Sequence, residues 1–434
     1  MAFLGMRGNG DWVADQRPKS WREAILFQYP NGDAPLTAIL SKMASERTTD
    51  PEFNWWTKSL ATQRATVTGV YTDAALSVAY VSGGVQGDSV FVKMSSADIG
   101  QWRLGHVALL RDSSDLTVDC VGKVTTRVDN GASSYIQVYL LEADDNSSAG
   151  DLSDCDTALI IGNANAEGAA MPDAIAYDPE KWYNYTQIFR TPLEMTRTAM
   201  QTTLRTDEQY KEAKREALEL HSIEMEKAFI YGVSSELMGT NGKKERTTLG
   251  IVPAIRGGYT GAGTATGNVN NFATNTSFAG KTWLQSGEEW LDQQLEVIFR
   301  YGSQEKLAFA GSGAILGINR IIKNGGNFDY TNATESYGIK VTKWVTAFGV
   351  INLMRHPLLT NEETTRNAMI IFEPKDIKYK YIQDTMFKKD TTYKEGGYTS
   401  RDGIKEEFLT ECGLEYHHPN GWGYLSGFNT DNAL

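Results

Sequence analysis

Cysteine is scarce in this 434-residue chain, and long apolar runs are missing. The three cysteines, Cys120, Cys155 and Cys412, are odd in number and widely spaced, which argues against a disulfide framework and indicates reduced thiols in a cytosol. No stretch approaches the roughly 18 consecutive apolar residues of a membrane helix. Residues 1–7 are too short an apolar run for a signal peptide. We therefore expect a soluble cytosolic product with no membrane partner.

Positive charge is also in deficit. The chain has 42 Lys and Arg against 54 Asp and Glu, a formal net charge of -12, and shows no basic stripe or tail. This balance argues against a dedicated nucleic-acid-binding protein. An apolar content of 41%, with 10 Trp, 20 Tyr and 16 Phe, is enough to build one large domain or two to three ordinary ones.

Recognisable nucleotide-binding and nucleophile motifs are missing as well. Gly311–Gly317 follows a predicted strand and opens a predicted helix, but three residues instead of two precede its last glycine. No acidic residue follows a second strand at the distance that a dinucleotide site needs. We interpret the segment as a plain strand-to-helix turn. There is no phosphate-binding loop and no Gly-x-Ser-x-Gly nucleophile elbow.

The histidines lack the spacing of a metal or catalytic site. His221 and Glu224 lie three residues apart on a predicted helix, whereas a zinc-protease helix needs two histidines four apart. Glu224 falls on the apolar face of that helix, so we expect a buried carboxylate paired with an arginine from another segment. His417 and His418 are adjacent, which is poor ligand spacing. The sequence predicts no catalytic, cofactor-binding or metal-binding residues.

A cluster of aspartates is the remaining candidate for a cation site. Its spacing matches no calcium loop, so we predict a solvated acidic loop. The members are Asp144, Asp145, Asp151, Asp154 and Asp156.

A long charged helix is predicted from Thr206 to Gly232. Thr206 and Gln209 form a capping-box pattern, and Gly232 is a typical C-terminal stop. At about 1.5 Å per residue the helix would span roughly 39 Å, long enough to cross a domain. Its predicted apolar stripe consists of Tyr210, Ala213, Ala217, Leu220, Ala228 and Tyr231.

The flanking regions differ in their periodicity. Residues 1–65 are interrupted by prolines and resemble an extended arm, whose aromatics Phe53, Trp55 and Trp56 pack either into the chain's own core or onto a neighbouring subunit. Residues 66–182 alternate like β-strands, with a hairpin tip at Asp129–Gly131.

The region after the helix mixes strands and helices. The predicted strands and helices are a strand at Thr247–Ile255, a helix at Trp283–Arg300, a strand at Lys306–Ala310, a helix at Ala314–Lys323, strands at Val341–Leu353 and Ala368–Phe372, and terminal strands at Leu414–Tyr416 and Trp422–Leu425. Between them, 257–280 is a polar loop rich in Gly, Thr and Asn. The fold class is α+β, with segregated pieces.

The order of these segments resembles the major capsid proteins of tailed phages with the Hong Kong-97-type fold. Short motifs carry the resemblance, and its specificity lies in their order and number. They are Pro35–Leu40 and Thr49–Trp55 for the N-terminal arm, Tyr183–Phe189 with His221–Glu224 and Phe229–Gly232 for the returning strand and spine helix, and Phe348–Leu353 with His356–Leu358 for a strand pair of the axial domain.

The resemblance implies a division of the chain into five parts. These are an N-terminal arm at 1–65, an extended loop at 66–182, a peripheral domain with the spine helix at 183–249, an axial domain at 250–375 and a C-terminal segment returning to the peripheral domain at 376–434. Segment 66–182 is longer than the two-stranded hairpin usual in the family. It therefore predicts an extra β-rich insertion in the extended loop.

The resemblance also implies a function without catalysis. It predicts a major capsid protein, not an enzyme, that self-assembles into hexamers and pentamers as an icosahedral shell around packaged double-stranded DNA, made in the host bacterial cytoplasm. Expected partners are the portal, a separate scaffold protein, a decoration protein where one is present, and DNA held without sequence-specific contact. Two alternatives stay open: a cellular nanocompartment shell protein and a tail-associated carbohydrate-binding protein.

Overall fold

The computed structural model describes Leu36 and the ranges 45–58, 63–114, 119–144, 152–202, 209–257, 268–325, 334–336, 339–389 and 403–434. Two compact units are present. The first, called the body here, comprises Met1–Thr57 and Lys181–Leu434, and the second, the barrel unit, comprises Lys58–Glu180.

The strands are numbered in chain order. They are β1 Ser45–Arg47, β2 Glu52–Thr57, β3 Arg64–Tyr71, β4 Ser89–Met94, β5 His106–Arg111, β6 Asp119–Val128, β7 Tyr135–Leu140, β8 Thr157–Asn163, β9 Glu180–Tyr185, β10 Gln187–Thr196, β11 Ser235–Met238, β12 Lys244–Thr247, β13 Val269–Asn271, β14 Glu305–Ala310, β15 Thr334–Ser336, β16 Ile339–Val345, β17 Val350–Arg355, β18 Met369–Phe372, β19 Ile377–Lys388, β20 Gly403–Tyr416 and β21 Gly423–Ser426.

The α-helices are numbered in the same way. They are α1 Ser96–Ile99, α2 Arg197–Gln201, α3 Gln209–Tyr231, α4 Ile251–Ile255, α5 Trp283–Phe299, α6 Ser312–Gly325 and α7 Pro357–Asn361. The presence of both helices and sheets confirms the α+β class.

The barrel unit is a closed antiparallel barrel with the strand order β3-β4-β7-β6-β5-β8. Alternate residues such as Val90, Val92 and Met94 point inward and are buried, because successive strand side chains point to opposite faces. The interior is apolar and includes the fully buried Trp102. The predicted hairpin tip at Asp129–Gly131 is confirmed, since it joins β6 to β7 and Gly131 has a φ of +56°.

A four-stranded sheet of the body has the order β1-β19-β20-β10. Its long antiparallel pair β10–β20 runs in register from Gln187 opposite Cys412 to Thr196 opposite Gly403. Helix α3 lies against β10 and β20 and buries Phe229 and Ile230 in a shared apolar core. The short parallel strand β1 lies beside β19 at the edge of the sheet.

A seven-stranded sheet of the body has the order β13-β21-β18-β14-β17-β16-β15. Helices α5 and α6 pack against it and bury an aromatic cluster of Phe272, Trp283, Trp290 and Phe428. The N-terminus of α5 is capped, because the Gln285 side chain accepts a hydrogen bond of 3.0 Å from the backbone N–H of Thr282. The last strand, β21, belongs to this sheet, whereas β19 and β20 belong to the four-stranded sheet.

Segment Thr247–Ile255 does not form the strand that we predicted. Strand β12 ends at Thr247, and the backbone of Gly250 precedes the short helix α4. Pro253 occupies the first turn of this helix, where no intrahelical N–H donor is required, so the proline does not interrupt it. The apolar run looked extended because a helix of five residues is too short to show helical periodicity.

The long helix is observed as α3, and its predicted start at Thr206 lies outside the described residues. The stop at Gly232 is confirmed, since its N–H closes the last turn on the Ala228 carbonyl at 2.8 Å. The predicted stripe is wrong at Leu220 and Tyr231, which are exposed. The buried face consists of Ala217, His221, Met225, Glu226, Phe229 and Ile230.

Three further predictions can be compared with the structure. Gly311 is a plain turn between β14 and α6, as predicted. The predicted strand Val341–Leu353 is two strands, β16 and β17, joined by a turn in which Thr346 and Gly349 hydrogen-bond. Phe53 and Trp55 pack into the body's own core, which settles the choice for these two, whereas Trp56 is 62% exposed.

Candidate functional site

A buried carboxylate joins three distant segments of the body. Glu226 on α3 accepts hydrogen bonds at the same oxygen, Oε1, from the backbone N–H of Leu36 at 2.7 Å and from His356 Nε2 at 2.8 Å. The side chains of Glu226 and His356 are both fully buried. The prediction of a buried carboxylate at Glu224 is wrong, because Glu224 is exposed, and the partner of the buried group is a histidine instead of an arginine.

His221 also has a structural position on α3. Its Nδ1 lies 3.0 Å from Thr191 Oγ1 on β10, and its Nε2 lies 2.7 Å from Thr410 Oγ1 on β20. Burial lowers the pKa of His221, so the neutral ring is favoured. Both ring nitrogens are therefore used to hold the helix on the sheet.

A buried ion pair fixes the turn before β14. Lys306 Nζ lies 2.6 Å from Glu373 Oε1 and 3.1 Å from the Tyr301 carbonyl, and both side chains are almost completely buried. Burial would raise the pKa of Glu373, but hydrogen bonds from Lys306, Lys375 and the Ser303 N–H outweigh it and lower the pKa. The carboxylate therefore stays charged and paired with lysine inside the body.

A third carboxylate, Glu415, is linked through Lys380 to the first described strand of the body. Glu415 on β20 accepts a hydrogen bond from His417 Nε2 at 2.6 Å and lies 2.9 Å from Lys380 Nζ. Lys380 also contacts Glu46 on β1 at 2.5 Å. Burial opposes ionisation of Glu415, yet the hydrogen bonds from Lys380 and His417 lower its pKa. The role of His417 is therefore structural: it hydrogen-bonds the Glu415 carboxylate near the β1 edge of the sheet.

The acidic loop is only partly solvated. Asp144 is buried and accepts hydrogen bonds from the Tyr80 hydroxyl at 2.5 Å and from the Leu152 N–H at 3.2 Å, so a solvated-loop assignment is wrong for this residue. Asp156 binds the Ser113 hydroxyl and backbone N–H. Asp145 and Asp151 lie outside the described residues. One partner, Tyr80, lies 64 residues before Asp144 in the chain, so sequence spacing cannot reveal this contact.

The thiols are held in their neutral form. Cys120, Cys155 and Cys412 are free and buried, and burial raises the pKa of each to about 12.

Within the described ranges, no group of three or more His, Cys, Asp or Glu has a geometry that could hold a metal ion. Among the helices in these ranges, none combines the length and apolarity needed to cross a bilayer.

The surface of the body carries several large apolar side chains that belong to no buried cluster. The most exposed are Trp56, Val233, Leu237, Met238 and Leu434. Charge is divided unevenly between the units. The barrel unit has 7 Lys and Arg against 17 Asp and Glu, a net charge of -10, whereas the body has 35 against 37, a net charge of -2.

Sequence reasoning missed the main internal ion pairs. Glu226 lies five residues after His221, a spacing that matches no ligand pattern, and His356 follows 130 residues later. Lys306 is the first residue of the predicted strand Lys306–Ala310, and the other residues of that segment are apolar. This charge beside apolar residues is the one sequence signal that could have indicated a buried cation. No sequence pattern indicated that Leu237 and Met238 would be exposed, apart from the polar residues around them.

Comparison with known proteins then gives the class. The major capsid protein of Pseudomonas phage PaMx41 is similar to this chain, with 24% identity over 94% of this chain and 92% of the phage protein. The structure of Mycobacterium phage Bobi is similar with a TM-score of 0.45 and 8% identity, over 96% of this chain and 98% of that one. The capsid of Myoviridae phage XM1 is similar with a TM-score of 0.44 and 8% identity, over 96% of this chain and 100% of that one.

The class of protein is that of phage capsid shells. The family model described as SU10 major capsid protein matches residues 20–429. The chain belongs to the SU10 major capsid protein family. Membership in a structural capsid family favours the major capsid protein over the nanocompartment and carbohydrate-binding alternatives.

Proposed function

We propose that copies of this chain assemble into hexamers and pentamers that close an icosahedral shell of the Hong Kong-97 type around double-stranded DNA. The observation that carries this proposal is the match of the capsid family model to residues 20–429. Many identical subunits closing a shell must bury large heterologous contacts. The exposed apolar side chains of the body supply candidate area for such contacts.

The five-part division of the chain is part of the proposal. We assign 1–65 to the arm, 66–182 to an extended loop with an inserted β-domain, 183–249 to the peripheral domain, 250–375 to the axial domain and 376–434 to the returning segment. The compact barrel unit at Lys58–Glu180 and the helix at Gln209–Tyr231 support the second and third assignments.

The chain acts without catalysis in this proposal. The buried carboxylates of Glu226, Glu373 and Glu415 are each engaged by partners within the fold. The proposed partners are a portal, a separate scaffold protein, a decoration protein where one is present, and the enclosed DNA. The net charge of -12 supports a shell that does not grip the DNA, since both carry negative charge. Assembly takes place in the bacterial cytoplasm.

Co-expression with the neighbouring genes tests the proposal. The product is separated on a density gradient, treated with nuclease and imaged by electron microscopy. Closed shells that sediment far ahead of free subunits are expected. Small oligomers that never close, even with a scaffold protein present, would contradict the proposal. Retention on a polysaccharide column by a discrete trimer would point to the tail-associated alternative, and an enclosed enzyme cargo to the nanocompartment.

A further inference from the structure

A two-stranded hairpin follows the long helix of the body directly. Helix α3 ends at Tyr231, and strands β11 and β12 then pair from Ser235 opposite Thr247 to Met238 opposite Lys244. The turn closes through a hydrogen bond of 2.7 Å from the Gly239 N–H to the Lys243 carbonyl. The hairpin is therefore a defined element of the surface.

This hairpin presents unusual apolar exposure. Val233 is 62% exposed, Leu237 67% and Met238 70%, and none of them belongs to a buried cluster. Strand β12 lies against β10, but the side chains of Leu237 and Met238 on β11 stay open to solvent. Clustered exposed apolar groups of this kind mark interaction surfaces.

The charges of the hairpin do not suit a nucleic acid. Glu236 lies 2.7 Å from Lys244 Nζ and 2.7 Å from Arg246 Nε, so one carboxylate engages two of the cations. The other two charged side chains, Lys243 and Glu245, are of opposite sign. The local net charge is thus close to zero, and phosphate neutralisation needs clustered unpaired cations. An apolar protein surface fits this chemistry better.

A recess lies beside the projecting side chains. A cavity of about 300 Å³ opens between the second half of the hairpin and the start of β10. Ile188, which is 57% exposed, stands at this cavity, and Gln187, Asn241 and Glu411 supply polar groups to its wall. The surface therefore combines protruding apolar groups with a depression that can receive side chains.

We propose that the hairpin Ser235–Thr247 is a docking surface for a second copy of this chain, with Leu237 and Met238 buried in the contact. This inference rests on the proposed function, because a shell built from one chain places identical copies of it side by side. It goes further by assigning one surface of the body to the contact between subunits. The near-neutral charge of the body, -2 against -10 for the barrel unit, favours such close approach.

Thiol labelling of the variant Met238→Cys tests the inference directly. The three native thiols are buried, and burial raises the pKa of each to about 12, so background labelling by a maleimide is low. The introduced thiol is expected to react at least tenfold more slowly in assembled shells than in free subunits. Equal reactivity in the two states would overturn the inference and leave the proposed function intact. Failure to form shells in the unmodified chain would instead contradict the proposed function.

A second variant measures the contribution of the contact to assembly. Leu237→Ser with Met238→Ser is expected to lower the yield of shells at least tenfold while leaving the circular dichroism of the free subunit unchanged. The matched control is Leu284→Ser with Leu316→Ser, two helix residues that are 51% and 47% exposed. Full assembly of the hairpin variant, or an equal loss in the control, would overturn the inference.

Discussion

The barrel unit and the body solve the same folding problem by different means. All strands of the barrel unit come from one continuous stretch of about 100 residues, and closure leaves no open sheet edge. The body joins segments far apart in the sequence, such as Glu46 with Lys380 and Leu36 with Glu226. In the barrel unit, pairing within one continuous stretch and an apolar interior specify the fold.

Buried charge follows this difference. The body holds Lys306–Glu373 and Glu226–His356 out of solvent, whereas the pair Arg111–Asp119 in the barrel unit has side chains about one-third exposed. A buried charge is costly unless its partner is present, so it disfavours any arrangement in which the distant segments are wrongly joined. The buried polar contacts of the body therefore help to determine which distant segments pack together.

The largest effect is expected from breaking the buried pair of the body. Lys306→Ala leaves the Glu373 carboxylate buried beside an empty space, and we expect a loss of about 3–5 kcal/mol in the free energy of unfolding. The matched variant Arg111→Ala in the barrel unit should lose less than about 1 kcal/mol of pair energy, because its partner is hydrated. Denaturant unfolding of both variants measures the difference. Equal losses would remove the contrast between the units.

A smaller effect is expected from overpacking the barrel interior. Gly122 on β6 is buried, and a Cβ added there would overlap Val138 Cγ1 on β7, so Gly122→Ala should destabilise the barrel unit by about 1–3 kcal/mol. Gly162→Ala is the control, because a Cβ at Gly162 meets no atom within 4 Å. Thiol exposure during unfolding reports the two units separately, through Cys120 and Cys155 in the barrel unit and Cys412 in the body. Earlier exposure of Cys412 alone in Gly122→Ala would refute this prediction.

The smallest effect is expected from histidine protonation in the body. Burial holds the pKa of His221 below the ordinary value of 6.5, so the folded state binds fewer protons than the unfolded state and loses stability as pH falls below about 6.5. His221→Gln should flatten the dependence of the melting temperature on pH between about 6.5 and 5, above the range where most carboxylates titrate.

The barrel unit offers the matched comparison for this titration. Burial, followed by the charge of Arg103, also lowers the pKa of His106, so His106→Gln should flatten the same pH window for the barrel transition alone. An unchanged slope in either variant would show that its imidazole does not contribute to the pH dependence.

The sequence revealed more of the barrel unit than of the body. Strict alternation in segments such as Val90–Lys93 predicts strands directly, and β4 and β5 were found where alternation placed them. In the body, the same kind of local pattern misassigned Thr247–Ile255, because a short helix and a strand of equal length share one apolar run. Local pattern is informative where one face of each strand is buried and the other is not.

The internal polar contacts of the body could not be predicted for a related reason. Glu226 becomes a buried partner of His356 only when α3 and the end of β17 meet, and no spacing along the chain records that meeting. The predicted apolar stripe failed at Leu220 for the same cause, since the buried face of α3 accepts His221 and Glu226 once distant strands satisfy their hydrogen bonds. The capsid resemblance, in contrast, was readable from the order of many short motifs.

Cryo-electron microscopy of the particles assembled from the full chain tests the central claim most directly. We expect closed icosahedral shells in which hexamers and pentamers are built from this one chain, with the hairpin Ser235–Thr247 buried between copies. Particles without icosahedral order, or subunits that remain discrete in the presence of the scaffold, would contradict it.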